Sequence, residues 1–163
     1  MWLSAPLFAE LASRAVLPRP LTWVIVYFKI KCGGPMSFSY VVCKKERLVI
    51  SSGSGCVTWS EIKKRQDQAK ADANFDPEFN QLVDLRAVTR FEMSSEQARV
   101  LARRMIFSFT SKRAFIAADP SVFGVANMWE IVTELSDNPS QIRVFSDLRS
   151  ALKWLGLERL PEK

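Results

Sequence analysis

The chain reads as an α/β protein: a mixed sheet of about five strands that opens with a hairpin and continues through right-handed strand–helix–strand units, with about four helices. Three observations predict this. Two short alternating segments, Ser39 to Cys43 and Leu48 to Ser52, stand four residues apart, the spacing of an antiparallel hairpin. Beyond them, apolar runs alternate with one-faced helical patterns, an order that demands crossovers and a largely parallel sheet. Finally, Leu82-Val83-Asp84-Leu85 is a short apolar run that follows the turn signal Asp76-Pro77, as expected of a central strand buried on both faces.

Composition bounds the rest. The 163 residues, 48% of them hydrophobic and 25% charged, suit one globular core and are short for two. Arg14, Arg19, Lys29 and Lys31 against Glu10 alone put half of the net charge of +6 into the first 35 residues. The remainder is only mildly basic. Its Lys/Arg pairs are scattered over different elements with no reader motif, so a nucleic-acid partner is not expected. Three cysteines, Cys32, Cys43 and Cys56, without C-x-x-C spacing, and no histidine at all, argue against a disulfide framework or a metal site. A reducing cytoplasm fits best. The missing histidine also removes every mechanism built on a Ser-His or Cys-His pair.

Residues 1–35 are expected to be an extension or linker, with Met36 as the natural start of a domain that spans residues 36–160; a mis-assigned start is one explanation and a peripheral membrane anchor another. Leu3, Leu7, Phe8, Leu11 and Val16 line one helical face, Pro18 and Pro20 break the chain, and Leu21 to Ile30 form an apolar run. Ten residues are too few to span a bilayer, which takes about 20.

Each later element has its own warrant. Gly53-Ser54-Gly55 reads as a permissive turn that closes the second strand, since neither phosphate-binding glycine order is present. Thr58 or Ser60 then caps a polar helix running to about Asp72. The anchor strand, Phe79 to Arg86, leads through a connection over Thr89 to Ser95 into a helix from Glu96 to Met105. Ser94 and Gln97 form a capping-box pair there, and Ala98, Leu101, Ala102 and Met105 share one face. Ala114 to Ala118 is the next strand. The following helix, Val122 to Leu135, takes Ser121 as its cap. Val125, Met128, Val132 and Leu135 make its inner face, Ile131 and Trp129 its flanks, and Phe123 projects on the polar side. Ile142 to Phe145 is the last strand, and Ser146 caps a helix that Gly156 ends.

In open α/β sheets ligands gather beyond the carboxyl ends of the strands. That rule makes Asp84, Arg86, Asp119, Ser121 and Phe123 the candidate ligand- or partner-binding residues, Phe123 as a pocket wall or contact. No catalytic residue, metal ligand or cofactor is assigned.

The run Leu82 to Phe91, leading to Ser94-Ser95 at a helix start, resembles the central segment of STAS domains, the superfamily of SpoIIAA-like anti-sigma-factor antagonists and the cytoplasmic domains of sulfate transporters. It is more similar still to an uncharacterised bacterial branch, the STAS/Sec14-like small proteins. Asp76-Pro77-Glu78-Phe79, Val83 to Arg86, Arg113 to Ala117, Phe123 to Glu130 and Val144 to Leu148 carry that pattern over residues 36 to 157. The resemblance implies a SpoIIAA-like fold and a non-catalytic regulatory or interaction module with a protein partner or a second copy of itself. Its Sec14-like side implies the alternative, a carrier or sensor of a small apolar, lipid-like ligand, to which Phe107, Phe109 and Phe123 near loops would contribute. An enzyme using Asp84 and Asp119 with Arg86 is the third reading. The antagonists carry Asp-Ser-Ser-Gly at the helix start and are phosphorylated on a serine there, whereas this chain has Met93-Ser94-Ser95-Glu96. Ser94 reads as a cap and Ser95 as the candidate phosphosite, with Glu96 opposing any phosphate.

Overall fold

The computed structural model describes residues 38–104, 106–135 and 141–161, apart from the side chain of Ala102. They belong to a unit running from Pro35 to Lys163. The expectations for residues 1–35, and the Met105 end of the second helix, lie outside the described residues.

Alternation and turn chemistry build the sheet from its first edge. β1 (Phe38–Cys43) pairs antiparallel with β2 (Leu48–Thr58), from Cys43↔Leu48 to Phe38↔Gly53. Arg47 takes φ 50° in the connecting turn. β2 leads into α1 (Trp59–Ala71), then β3 (Asn80–Glu92), α2 (Ser95–Arg103), β4 (Lys112–Ile116), α3 (Pro120–Glu134), β5 (Gln141–Phe145) and α4 (Leu148–Leu155). Strands β2 to β5 are all parallel, and the spatial order is β1-β2-β3-β4-β5. Each crossover therefore steps the same way, and right-handedness sends α1, α2 and α3 to one face of the sheet.

The two faces share the strand residues by parity. Val83, Leu85, Val88 and Phe115 pack with Ile62 of α1, Leu101 of α2 and Val122, Ala126 and Trp129 of α3. Their neighbours Leu82, Ala114 and Ile116, with Leu48 and Ile50, meet Ala151, Leu152 and Leu155 of α4 on the other side. The anchor strand is thus central and buried on both faces, as the sequence predicts.

Several boundaries differ from expectation, each for a local reason. Gly53-Ser54-Gly55 is not a turn: β2 runs through it with two register irregularities, between Ser52 and Ser54 and between Gly55 and Cys56. Gly55 supplies a φ of +64°, and a Cβ on Gly53 would stand 2.9 Å from both Phe38 Cδ2 and Val88 Cγ2. These glycines serve bulges and close packing within a strand. β3 likewise continues beyond Arg86 to Glu92, because the lengthened β2 keeps pairing with it as far as Thr58↔Glu92.

Two caps shift as well. Asp119 caps α3 in place of Ser121, since its carboxylate accepts from the amides of Ser121 and Val122 and Pro120 is preset for the first helical position. Asp147 caps α4 in place of Ser146, accepting from the Ser150 amide and hydroxyl. In α3 the buried stripe is Val122, Ala126, Trp129 and Thr133, and the expected inner face lies rotated outward. Leu135 is 81% exposed and Ile131 48%. A helix apolar on nearly all sides gives periodicity nothing to choose between, and the fit of Trp129 against Phe115, centroids 5.8 Å apart, decides the rotation.

Candidate functional site

The helix starts converge on the carboxyl edge of the parallel strands, and each is closed by its own sequence. Thr58 and Glu61 form a capping box on α1, and Ser94 and Gln97 form one on α2. Asp119 and Asp147 close α3 and α4. Hydrogen bonds from the Ser121 hydroxyl and amide and the Val122 amide hold the Asp119 carboxyl below the usual carboxylate range. The Ser150 amide and hydroxyl do the same for Asp147.

Asp84 sits on β3 where pairing with β4 ends, opposite Ile116. It is chelated by Arg86, whose Nε–H donates to Oδ1 at 2.9 Å and whose Nη2–H donates to Oδ2 at 2.6 Å. The hydrogen bonds from Arg86 to Asp84 raise the guanidinium pKa further above its ordinary value. Asp119 and Ser121 form a second local pair through the Ser121 hydroxyl and amide. Among the described residues no hydrogen bond or ion pair joins the two pairs. Phe123, half-buried, packs against the core on the α1–α3 face. Ser95 is exposed as the first residue of α2, while the Ser94 hydroxyl accepts from the Gln97 amide. Phe107 is buried and Phe109 exposed.

A partly open cavity lies elsewhere, between the sheet and helices α1 and α3, toward the amino ends of β3 and β4. It has a volume of about 50 Å³, and its walls include Val49, Val83, Leu85, Phe107 and Phe115. Three polar side chains on neighbouring strands form its floor. Arg113 Nε–H donates to Gln81 Oε1 at 3.0 Å, and Gln81 Nε2–H donates to Ser51 Oγ at 3.2 Å. Gln81 and Arg113 are direct partners in the ladder. The Arg113 guanidinium lies over Phe107 and Phe115, 5.1 and 5.8 Å from the ring centroids. Burial pulls its pKa down to about 10. At the same cavity Tyr40 donates to Asp72 Oδ2 at 3.3 Å, and burial followed by the Asp72 charge raises its pKa.

Sequence reasoning passed over this group, placing Arg113 only among the scattered Lys/Arg pairs and in the STAS/Sec14-like pattern. The signal was present: Ser51, Gln81 and Arg113 are polar residues at inward positions of strands that otherwise bury apolar side chains. No cluster of three metal-ligating side chains occurs among the described residues. No helix among them is long and apolar enough to cross a membrane.

Comparison with known proteins yields the fold. No protein-family model and no curated protein matches the chain. Among solved structures it is similar to an uncharacterised protein of the DUF3478 family with a SpoIIAA-like fold from Shewanella loihica PV-4. The match has a TM-score of 0.52 and 14% identity, and covers 73% of this chain and 94% of that one. The anti-sigma factor antagonist SpoIIAA in its unphosphorylated form aligns at a TM-score of 0.47 and 6% identity, over 73% and 97%. The chain has a SpoIIAA-like fold, as the resemblance in its sequence implies.

Proposed function

We propose that this SpoIIAA-like chain is a non-catalytic module that works by contact with another protein in the cytoplasm, in the regulatory manner of STAS domains. The observation that carries the reading is the outward face of α3. Ile131 and Leu135 are exposed there, beside the half-buried Val125, Met128 and Val132, in a stripe that the described residues leave uncovered. The helix begins at the carboxyl edge, where Asp84, Arg86, Asp119, Ser121 and Phe123 remain the candidate binding residues, about 20 Å along α3 from Leu135. The state of the acids favours contact over chemistry. Asp84 is neutralised by Arg86, while Asp119 and Asp147 are held ionised as caps, which makes them poor proton donors at neutral pH. Ser95, exposed at a helix start, is the position where a phosphate would alter that edge.

Native mass spectrometry and sedimentation velocity on gently purified protein test this. The expected result is a dimer or a stoichiometric complex that the double variant Ile131→Asp, Leu135→Asp reduces to monomer without lowering the melting midpoint. A wild-type monomer, or turnover of a substrate that Asp84→Asn abolishes, overturns it.

A second reading, a carrier or sensor of an apolar ligand, is favoured by the cavity. Its size argues against a lipid-length chain, because about 50 Å³ holds only a handful of water-sized groups, at roughly 10–15 Å³ each.

A further inference from the structure

The cavity under α1 and α3 is lined by a half-buried positive charge, Arg113, that no acid among the described residues pairs with. Among the described residues the Arg113 side chain makes one hydrogen bond, through Nε to Gln81, and no ion pair. Gln81 is itself committed on its other side, to Ser51. The terminal Nη groups of Arg113, which lines the cavity, have no hydrogen-bond partner among the described residues and stay accessible, the residue being half-buried. Trp129 Nε1 and Gln66 Oε1, also on its walls, are buried without a hydrogen-bond partner. A half-buried cation without a counter-charge and a buried indole N–H without an acceptor both favour an acceptor that carries negative charge, while Gln66 Oε1 asks for a donor, which a second group of the occupant must supply.

The geometry points to a binding site for a short apolar carboxylate, with its oxygens on Arg113 and Trp129 and its tail among Val49, Val83, Leu85 and Phe115. A carboxylate matches the planar fork of a guanidinium and accepts from two donors at once. The walls are mostly apolar, which suits a hydrocarbon tail; Arg65 also lines the cavity but already donates to Gln68, which leaves few donors for a phosphate. The volume of about 50 Å³ fits a chain of roughly two to five carbons. Water alone would satisfy hydrogen bonds without neutralising the charge. The site is independent of the α3 contact face and stands whether or not that face binds a protein.

Isothermal titration of the full chain tests the assignment, with sodium acetate, propionate, butyrate, hexanoate and decanoate at constant ionic strength, beside 1-butanol and inorganic phosphate. Saturable binding is expected, strongest at roughly two to five carbons. It should weaken at least about tenfold for 1-butanol and for the Arg113→Met variant. Trp129→Phe should weaken it severalfold, and Arg149→Gln on α4 should leave it unchanged. Circular dichroism and a cooperative melt establish that Arg113→Met is folded; if it is not, Trp129→Phe and the butyrate-to-butanol ratio on wild type decide. The proposal is overturned by the absence of saturable binding of any carboxylate, which leaves water as the occupant. Equal binding of 1-butanol, preference for phosphate, an optimum at decanoate, or unchanged affinity in folded Arg113→Met each overturn it too.

Discussion

Replacing Arg113 by methionine should make the ligand-free protein more stable. In the fold its guanidinium titrates near about 10, whereas an arginine in water does so at roughly 12.5–13.8. At about 1.4 kcal/mol per pH unit that gap is worth roughly 3–5 kcal/mol, and the half-buried state of the side chain brings the cost toward the lower end. Against that stand the hydrogen bond to Gln81, whose carbonyl would lose its partner at about 1–3 kcal/mol, and the stacking on Phe107 and Phe115. A methionine thioether recovers part of the aromatic contact and conserves much of the volume. The balance is a gain of about 1 kcal/mol, a rise in melting midpoint of roughly 3 °C for a chain of this size. Urea unfolding at neutral pH, in buffer free of carboxylates, measures it through the midpoint at constant slope. A loss of about 2 kcal/mol or more would refute the reasoning, because it would mean that the protein itself compensates the buried charge. Adding butyrate should reverse the ranking, since only wild type gains from a ligand that binds the native state.

Gly53→Ala should lose about 1–3 kcal/mol in the same assay, because Val88 on the far side of the new methyl is fixed in the core. Thr58→Ala opens the capping box of α1 and should cost about 1 kcal/mol. Asp119 binds its proton less readily in the fold than in the unfolded chain. Its contribution is therefore present above the ordinary aspartate range, near about 3.9, and is lost as pH falls through the lower folded value. Melting curves at neutral pH and near pH 3 should show a smaller acid-induced drop for Asp119→Ser, which keeps a cap without the charge. Peptide mapping of protein taken from its own cell should place any phosphate on Ser95 and not on Ser94, whose hydroxyl serves the Gln97 amide; phosphate on Ser94 would contradict the division of roles.

The order of elements was legible because it rests on local rules. Two alternating segments four residues apart made the hairpin, and Leu82 to Leu85 could only be a buried strand. What was missed depends on how faces meet. Gly53-Ser54-Gly55 carries turn composition, and only the fit of Phe38 and Val88 over Gly53 makes it a strand. The rotation of α3 was unreadable for a related reason: Val125, Met128, Val132 and Leu135 outscore the true inner stripe on hydropathy, but Trp129 needs the space above Phe115. Asp119 and Asp147 stood within two residues of the serines expected as caps, and a carboxylate that reaches two donors settles such a choice. Arg113 was the largest omission. In the sequence it follows Lys112 and looks solvated, yet strand parity turns one of the two inward over the aromatics.

The order β1-β2-β3-β4-β5, in which each strand lies beside the one before it, bears on how the protein is made. Only the hairpin closes locally: each parallel pairing joins segments about 30 residues apart, as in Leu48↔Asn80, Gln81↔Arg113 and Lys112↔Gln141, so every further rung must close a long loop and the layer is slow to form. On a ribosome the nascent layer would lengthen one rung at a time in the order of synthesis. Until α4 emerges, the faces of Leu82, Ala114 and Ile116 would stand bare, which makes the last helix the lid on that process and its truncation a route to aggregation.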